Sequence, residues 1–370
     1  MRVAFRVDSS LDIGAGHVMR CLTLAGALRN EGVVCQFLSR TLPGHLIETI
    51  RGHGFPVEVL SDSTAPQEAT LPDGPGPANA AWLGTHWAHD ARQSCAVLEA
   101  SPVDWLIVDH YALDARWESE LRKYCRRLMV IDDLADRGHD CDLLLDQNLG
   151  RAAADYAGLA PEGCDILAGP RYALLRPEFA ALRSYSLARR AARSRANRIL
   201  VSMGGVDSSN ATGRVLEALE KYDLLKEITI EVVMGPTAPW LAEVRAHAAR
   251  SRHAIHVHRN VDNMARLMAD ADVAIGAAGT TSWERCCLGL PTIVLALAEN
   301  QKPVAQAVTA HGAAIFAGEA GDGPEVAADA VRRLCGDPAQ LSALGRSAAE
   351  CVLGDGAPLV AEIIRAHGQG

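Results

Sequence analysis

The sequence predicts an α/β protein built from two doubly wound domains in tandem. Short apolar runs of strand length alternate with segments of helical spacing through the first half of the chain. The alternation restarts after the basic stretch RRAARSRANR, which ends at Arg198. At 370 residues the chain is also long for one hydrophobic core. Strands that alternate with helices imply parallel sheets covered on both faces. The expected domains are 1–185 and 198–370, with a ligand cleft between them at the carboxyl ends of both sheets. The basic stretch is either the approach to the second domain or the solvated end of the preceding helix, and both readings leave the boundary in place.

RVAFRV is the first strand. GHVMRCLTLAGALRNEG carries Val18, Cys21, Leu22, Leu24, Ala25 and Leu28 at helical spacing and stops at Gly32. VVCQFLS is a strand and HLIETIRGHG a helix ending in glycine. Residues 61–80, rich in Pro, Gly, Ala and Ser, are a loop. A helix near 85–100, the strand DWLIVDHY, a helix near 114–126, the strand RLMVIDD and a final short strand CDLLLDQN complete the first half. The second half runs RILVSM (strand), NATGRVLEALEKY (helix), EITIEVVMG (strand), WLAEVRAHAAR (helix), AIHVH (strand) and VDNMARLMADA (helix). DVAIGAA (strand), TTSWERCCLG (helix) and PTIVLAL (strand) follow, and two further helices close the chain.

Composition narrows the function. Hydrophobic residues make up 49% and charged residues 22%, which is ordinary for a globular protein. The formal charge of −9 opposes a broad nucleic-acid or membrane-surface footprint, which needs a basic face. A small anionic substrate remains compatible, because helix N-termini and a few arginines bind it locally. The ten cysteines show no C-x-x-C spacing, so reduced thiols are expected rather than disulfides or a zinc ribbon. No signal-like leader precedes MRVAFRVD and no apolar run reaches membrane-spanning length, so a cytoplasmic protein is expected.

The stretch SSLDIGAGHVMR places His17 directly behind Gly14 and Gly16, where a strand turns into a helix. Either the ring packs under the glycine turn and donates to a carbonyl, or it is a general base at the edge of the first sheet. Histidine suits the second role because its ordinary pKa, about 6.5, leaves it largely neutral at cellular pH. Asp8 and Asp109 are both available to orient it. DHY puts Asp109, His110 and Tyr111 just beyond a buried strand, a usual place for active-site groups, although a loop histidine and a packed tyrosine are the ordinary alternatives.

In the second half, Gly204 and Gly205 form a tight turn before a helix that Ser208, Ser209 or Asn210 would cap, leaving N–H groups to face an anion. Glu284 lies in the first turns of a later helix. There it either faces the helix dipole or accepts hydrogen bonds from vicinal hydroxyls such as a ribose diol. Asn300 and Gln301, beyond the next strand, would project toward the same ligand. Asp132 and Asp133 invite a metal reading. Strand-end aspartates more often cap the next helix and no nearby His or Cys completes a site, so no metal is assigned.

FRVDSSLDIGAGHVMRCLTLA, DWLIVDHYALD, DDLADRGHDCDLLLDQN, AGPRYALLRPEF and SMGGVDSSN together resemble the UDP-2,4-diacetamido-2,4,6-trideoxy-β-L-altropyranose hydrolases of pseudaminic acid biosynthesis, over roughly residues 2 to 310. The resemblance implies the GT-B fold, with UDP held by the C-terminal domain. It implies that His17 is the catalytic base that activates water for inverting attack on the anomeric carbon. It also implies that Asn210 and Glu284 bind the UDP-sugar, with Glu284 on the ribose, and that Tyr111 and Asn300 lie around the sugar. Gly16, Gly204, Gly205 and Gln301 complete the expected binding set. No cofactor and no metal are implied. The expected partners are a UDP-sugar and water, without nucleic acid or membrane, in a monomer or weak oligomer. A GT-B glycosyltransferase using a UDP-sugar donor, or a nucleotide-sugar binding protein without turnover, are the alternatives.

Overall fold

The computed structural model describes residues 1–60, 76–192, 195–222, 228–235 and 238–368. Of the loop expected at 61–80, residues 61–75 therefore lie outside the described residues. The chain forms two compact units, Met1–Leu174 with Gly356–Gly370, and Leu175–Asp355.

The first unit runs β1 (Arg2–Val7), α1 (Gly16–Asn30), β2 (Val34–Arg40), α2 (Ile47–Gly52), β3 (Val57–Leu60), α3 (Trp87–Ala100) and β4 (Val103–Asp109), followed by α4 (Ala115–Leu121), β5 (Cys125–Ile131), β6 (Leu143–Asp146) and β7 (Asp165–Ala168). Its strands form a seven-stranded sheet in the order β3-β2-β1-β4-β5-β6-β7, and every pairing is parallel. Strand alternation sorts the side chains onto two faces. Val3, Phe5, Val7, Trp105 and Ile107 join one core with the buried face of α1. Ala4, Leu106, Val108, Leu128 and Val130 join the other, with Leu98 of α3 and Trp117 of α4. β3 and β7, each four residues long, extend beyond the strands expected from sequence.

The second unit runs α5 (Pro177–Ala191), β8 (Arg198–Ser202), α6 (Ala211–Leu219), β9 (Thr229–Met234), α7 (Leu241–Ala248), β10 (Ala254–Arg259), α8 (Met264–Asp270) and β11 (Val273–Ala277). It continues through α9 (Thr281–Cys287), β12 (Thr292–Ala296), α10 (Lys302–Ala310), β13 (Ala314–Glu319), α11 (Gly323–Gly336) and α12 (Pro338–Cys351). Six strands pair in the order β10-β9-β8-β11-β12-β13, again all parallel. β13 is a strand where the sequence suggested only helices, because AIFAGE is short and rich in small residues. In each sheet the strand order reverses beside the first strand, at β1/β4 and at β8/β11. Ligands of open α/β sheets bind at the carboxyl ends flanking such a reversal.

The last helix, α13 (Gly356–His367), belongs to the first unit, whereas the sequence-based division ran the second domain to the end of the chain. Ala357, Val360, Ala361 and Ile364 form its apolar stripe and pack into the α1 side of the first core. Gly356 has no room for a side chain there, since a Cβ would lie 2.4 Å from the Ala173 carbonyl oxygen. Among the described residues no helix is long and apolar enough to cross a membrane.

Candidate functional site

The chain leaves β1 through a turn in which Ser10 accepts from Asp12 and Ile13 N–H through its hydroxyl and from Gly14 N–H through its carbonyl. Gly14 takes a φ of 80°, a left-handed value that favours glycine. α1 then starts at Gly16 with no side-chain cap and no acid in its first turn. His17 is therefore the second residue of that helix, only 8% exposed, at the reversal of the first sheet.

Asp109, at the end of β4, lies opposite Val7 of β1 in the parallel ladder. Its Oδ1 is 2.6 Å from His17 Nδ1. Arg20, one turn on from His17, donates from Nε and Nη2 to the two oxygens of Asp109, each at 2.6 Å. Burial alone would raise the Asp109 carboxyl, but Arg20 and then His17 outweigh it and hold it well below the usual carboxylate range. A permanently ionised Asp109 fixes the Nδ1–H tautomer and leaves Nε2 as the basic nitrogen. Nε2 makes no hydrogen bond among the described residues and is not a buried orphan. Of the two aspartates open to the sequence reading, Asp109 is the one that orients His17. Asp8 instead accepts from Arg6 and from the Arg40 backbone N–H.

His110 is differently placed. Its Nδ1 accepts the Ala112 N–H at 3.1 Å, and its Nε2 lies 3.3 Å from Asp8. Burial pushes its pKa down despite Asp8. Nδ1 is taken by a backbone N–H and Nε2 is buried beside Asp8, so the ring makes a poor alternative base.

Tyr111 packs edge-on against the His17 ring, centroids 4.5 Å apart, and stacks on Trp82. Its hydroxyl donates to Asp133 at 2.6 Å. Asp133 also accepts from Arg20 Nη1 at 2.5 Å and from Asn148 Nδ2 at 3.1 Å. Asp132 accepts from the Leu134 and Ala135 N–H groups and pairs with Arg137. Neither aspartate caps a helix, contrary to the sequence expectation, because a turn rather than a helix follows β5. Arg20 and Asn148 were not singled out from the sequence, and Asp133 was weighed there only as a metal ligand. Arg20 carries a readable signal, since its i,i+3 spacing puts it beside His17 on one face of α1.

In the second unit, Gly204 takes a φ of 92°. Gly205 is approached so closely by the chain after β9 that a Cβ on Gly235 would lie 1.9 Å from its carbonyl oxygen. Asn210 has a left-handed φ of 52° and caps α6 by accepting from Gly213 N–H at 3.1 Å. The N–H groups expected to await an anion are already taken. The Asp207 carboxylate accepts from Ala211 and Thr212 N–H at 2.8 and 2.9 Å. A buried carboxylate thus occupies the end of α6 on which an external phosphate was expected.

Glu284 lies in the first turn of α9 with its side chain 15% exposed, 3.3 Å from Arg176 Nη2. Burial raises its pKa despite Arg176. Gln301 accepts from Leu297 N–H at 3.0 Å and so braces the turn after β12, while Asn300 beside it is exposed. Glu284, Gly204 and Gly205 follow β11 and β8, the two strands that flank the reversal of the second sheet.

Residues 199–348 match the glycosyltransferase family 28 C-terminal domain. An uncharacterized protein of Methanocaldococcus jannaschii is 28% identical over 82% of this chain, and the match spans 57% of its own length. The UDP-2,4-diacetamido-2,4,6-trideoxy-β-L-altropyranose hydrolase of Campylobacter jejuni is 26% identical over 82% of this chain and 95% of its own. In fold, the chain is similar to MurG of Acinetobacter baumannii, with a TM-score of 0.70 at 15% identity over 99% of both chains. With two parallel doubly wound sheets and a likeness to MurG along the whole chain, the protein has the GT-B fold, and its sequence is similar to the altropyranose hydrolase across most of both chains.

Proposed function

We propose that the protein is a cytoplasmic, metal-independent enzyme that hydrolyses a UDP-linked 2,4-diacetamido-2,4,6-trideoxy hexose to UDP and the free sugar. The observation that carries this reading is the His17–Asp109 pair at 2.6 Å, with Nε2 of the ring left unpartnered among the described residues. In the proposed reaction His17 Nε2 takes a proton from water while the water oxygen attacks the anomeric carbon with inversion. The anomeric C–O bond breaks and UDP departs with its electron pair. The uncapped N-terminus of α1 beside His17 favours negative charge in its vicinity. Glu284 is assigned to the ribose diol. Gly204, Gly205, Asn210, Asn300 and Gln301 of the second unit and Gly16 and Tyr111 of the first are assigned to substrate contact.

The family 28 match favours a second reading, a glycosyltransferase in which a sugar hydroxyl replaces water and His17 keeps its role. Release of UDP without any acceptor separates the two. In H₂¹⁸O the hydrolase places the label on the free sugar and none on the phosphate. His17→Asn should fold, bind the UDP-sugar within a few-fold, and lose at least about a hundredfold in turnover. UDP release that requires an added acceptor would overturn hydrolysis, and full turnover by His17→Asn would overturn the base.

A further inference from the structure

The second unit has a cavity of about 610 Å³ at the end of its sheet opposite Glu284, walled by α5, α12 and the segments entering β11 and β12. The volume is that of a small-molecule site. Leu187, Leu341 and Pro291 give it an apolar wall, and Arg183, Arg190 and Arg346 line it as well. It also absorbs the basic stretch that the sequence singled out, because Arg190 and Arg195 belong to RRAARSRANR.

The charges there do not balance. Arg190 donates to the carbonyls of Met268, Ala271 and Leu288, and Arg183 to those of Cys287, Ala349 and Val352. Arg346 donates to the Ser342 hydroxyl. None of the three is paired with a carboxylate among the described residues. Of the two acids in the lining, Asp272 is occupied by Arg189 at 2.8 Å and by the N–H groups of Asn197 and Arg198. That leaves Glu350 alone in the lining against four guanidiniums, those of Arg183, Arg190, Arg195 and Arg346. Burial, and then Arg189, push Arg190 down to about 9. Arg183 and Arg190 are half-buried, where charge without a counter-charge is costly, and a chain of net charge −9 has acids to spare that are not placed here.

We infer that this cavity binds an amphiphilic organic anion, with its apolar body against Leu187, Leu341 and Pro291 and its charged head at the arginines. The site is separate from the proposed active site, and its occupancy does not depend on the reaction proposed above.

Calorimetric titration of the full chain with dodecyl phosphate, below its micelle concentration, tests the inference. Dodecanol carries the tail without the charge, and inorganic phosphate the charge without the tail. One-to-one binding of dodecyl phosphate at least tenfold tighter than of either control is expected. Leu341→Trp, which fills the cavity, and Arg346→Glu, which reverses an exposed rim charge, should each weaken it at least tenfold while leaving UDP affinity unchanged. Equal binding of dodecanol would mean an apolar void without anion selection and would overturn the inference. Binding that survives both substitutions would place the ligand elsewhere. A dimer in sedimentation velocity that Leu341→Trp dissociates would make a second copy of the chain the occupant instead.

Discussion

Replacing Asp109 with Asn tests the chemistry of the His17 site most sharply. The carboxylate accepts from His17 Nδ1 and Arg20 Nη2 on Oδ1, and from Arg20 Nε on Oδ2. Both oxygens already face donors, so either placement of the Asn amide sets an NH₂ against a donor. With the NH₂ toward His17, the ring must accept on Nδ1 and carry its proton on Nε2, the nitrogen needed as base. With the NH₂ toward Arg20, it faces the Nε–H donor, and in either placement the buried guanidinium loses one of its two charged partners. The equivalent swap in a Ser-His-Asp triad costs about 10⁴ in kcat through the same tautomer error. Loss of general-base catalysis here should cost about 10²–10⁴. Breaking one partner of a buried ion pair costs about 3–5 kcal/mol, so a fall in thermal stability should accompany it. The assay is UDP release at saturating UDP-sugar beside thermal unfolding, with imidazole ¹⁵N shifts reporting the tautomer in the absence of substrate. A folded Asp109→Asn protein that turns over within about fivefold of the parent would refute the dyad. A folded variant that keeps the Nδ1–H tautomer yet loses turnover would assign Asp109 another role.

Three further outcomes are expected. Glu284→Ala should weaken UDP binding by about 1.5–3 kcal/mol, the scale of a hydrogen bond to a charged group, and an unchanged calorimetric affinity would reduce Glu284 to a partner of Arg176. Asp207→Ala should cost about 0.5–2 kcal/mol in unfolding free energy through the lost α6 cap. It should leave UDP affinity unaltered, and tighter UDP binding would show that the freed N–H groups belong to the diphosphate. Asp146 is raised to about 7 by burial and then by Asp133, which together outweigh Arg151 Nε at 3.1 Å. Its folded-state pKa exceeds the unfolded value, so the native state is penalised at pH 8 and relieved as pH falls through about 7 toward 4. Asp146→Asn mimics the protonated form and should gain stability relative to the parent at pH 8, by at most about 4 kcal/mol, with the gain vanishing near pH 4. A pH-independent difference in denaturant midpoints would contradict that.

The architecture was legible where pattern is local. Alternating β1 and β4 residues, the helical stripe of α1 and its stop at Gly32 follow from residue spacing alone, and they suffice to put His17 at a sheet edge. β13 and α13 were lost for different reasons. AIFAGE offers too little β-branched or bulky surface to announce a strand. The stripe Ala357, Val360, Ala361, Ile364 announces a helix, but no local pattern says that its partner is α1, more than three hundred residues earlier. The occupation of the α6 end by Asp207 was also hidden, because Ser208, Ser209 and Asn210 are equally good caps by type.

The choice between Asp8 and Asp109 was closer to legible than it looked. Side chains in a strand alternate faces, so Val3, Phe5 and Val7 share one face while Ala4, Arg6 and Asp8 share the other. By the same count Trp105, Ile107 and Asp109 share a face, and in the structure Trp105 and Ile107 pack with Val3, Phe5 and Val7 on the α1 side. Parity therefore assigns Asp109 to the α1 face and turns Asp8 away, toward Arg6, whose partner Asp90 is supplied by α3. What strand parity cannot supply is the face that α1 covers. That comes from the right-handed β1–α1–β2 crossover, given that β4 lies on the opposite flank of β1 from β2. The catalytic pairing proposed here thus rests on topology more than on motif. Any chain with this strand order and an acid at the parity of Asp109 can orient an imidazole placed one residue into α1.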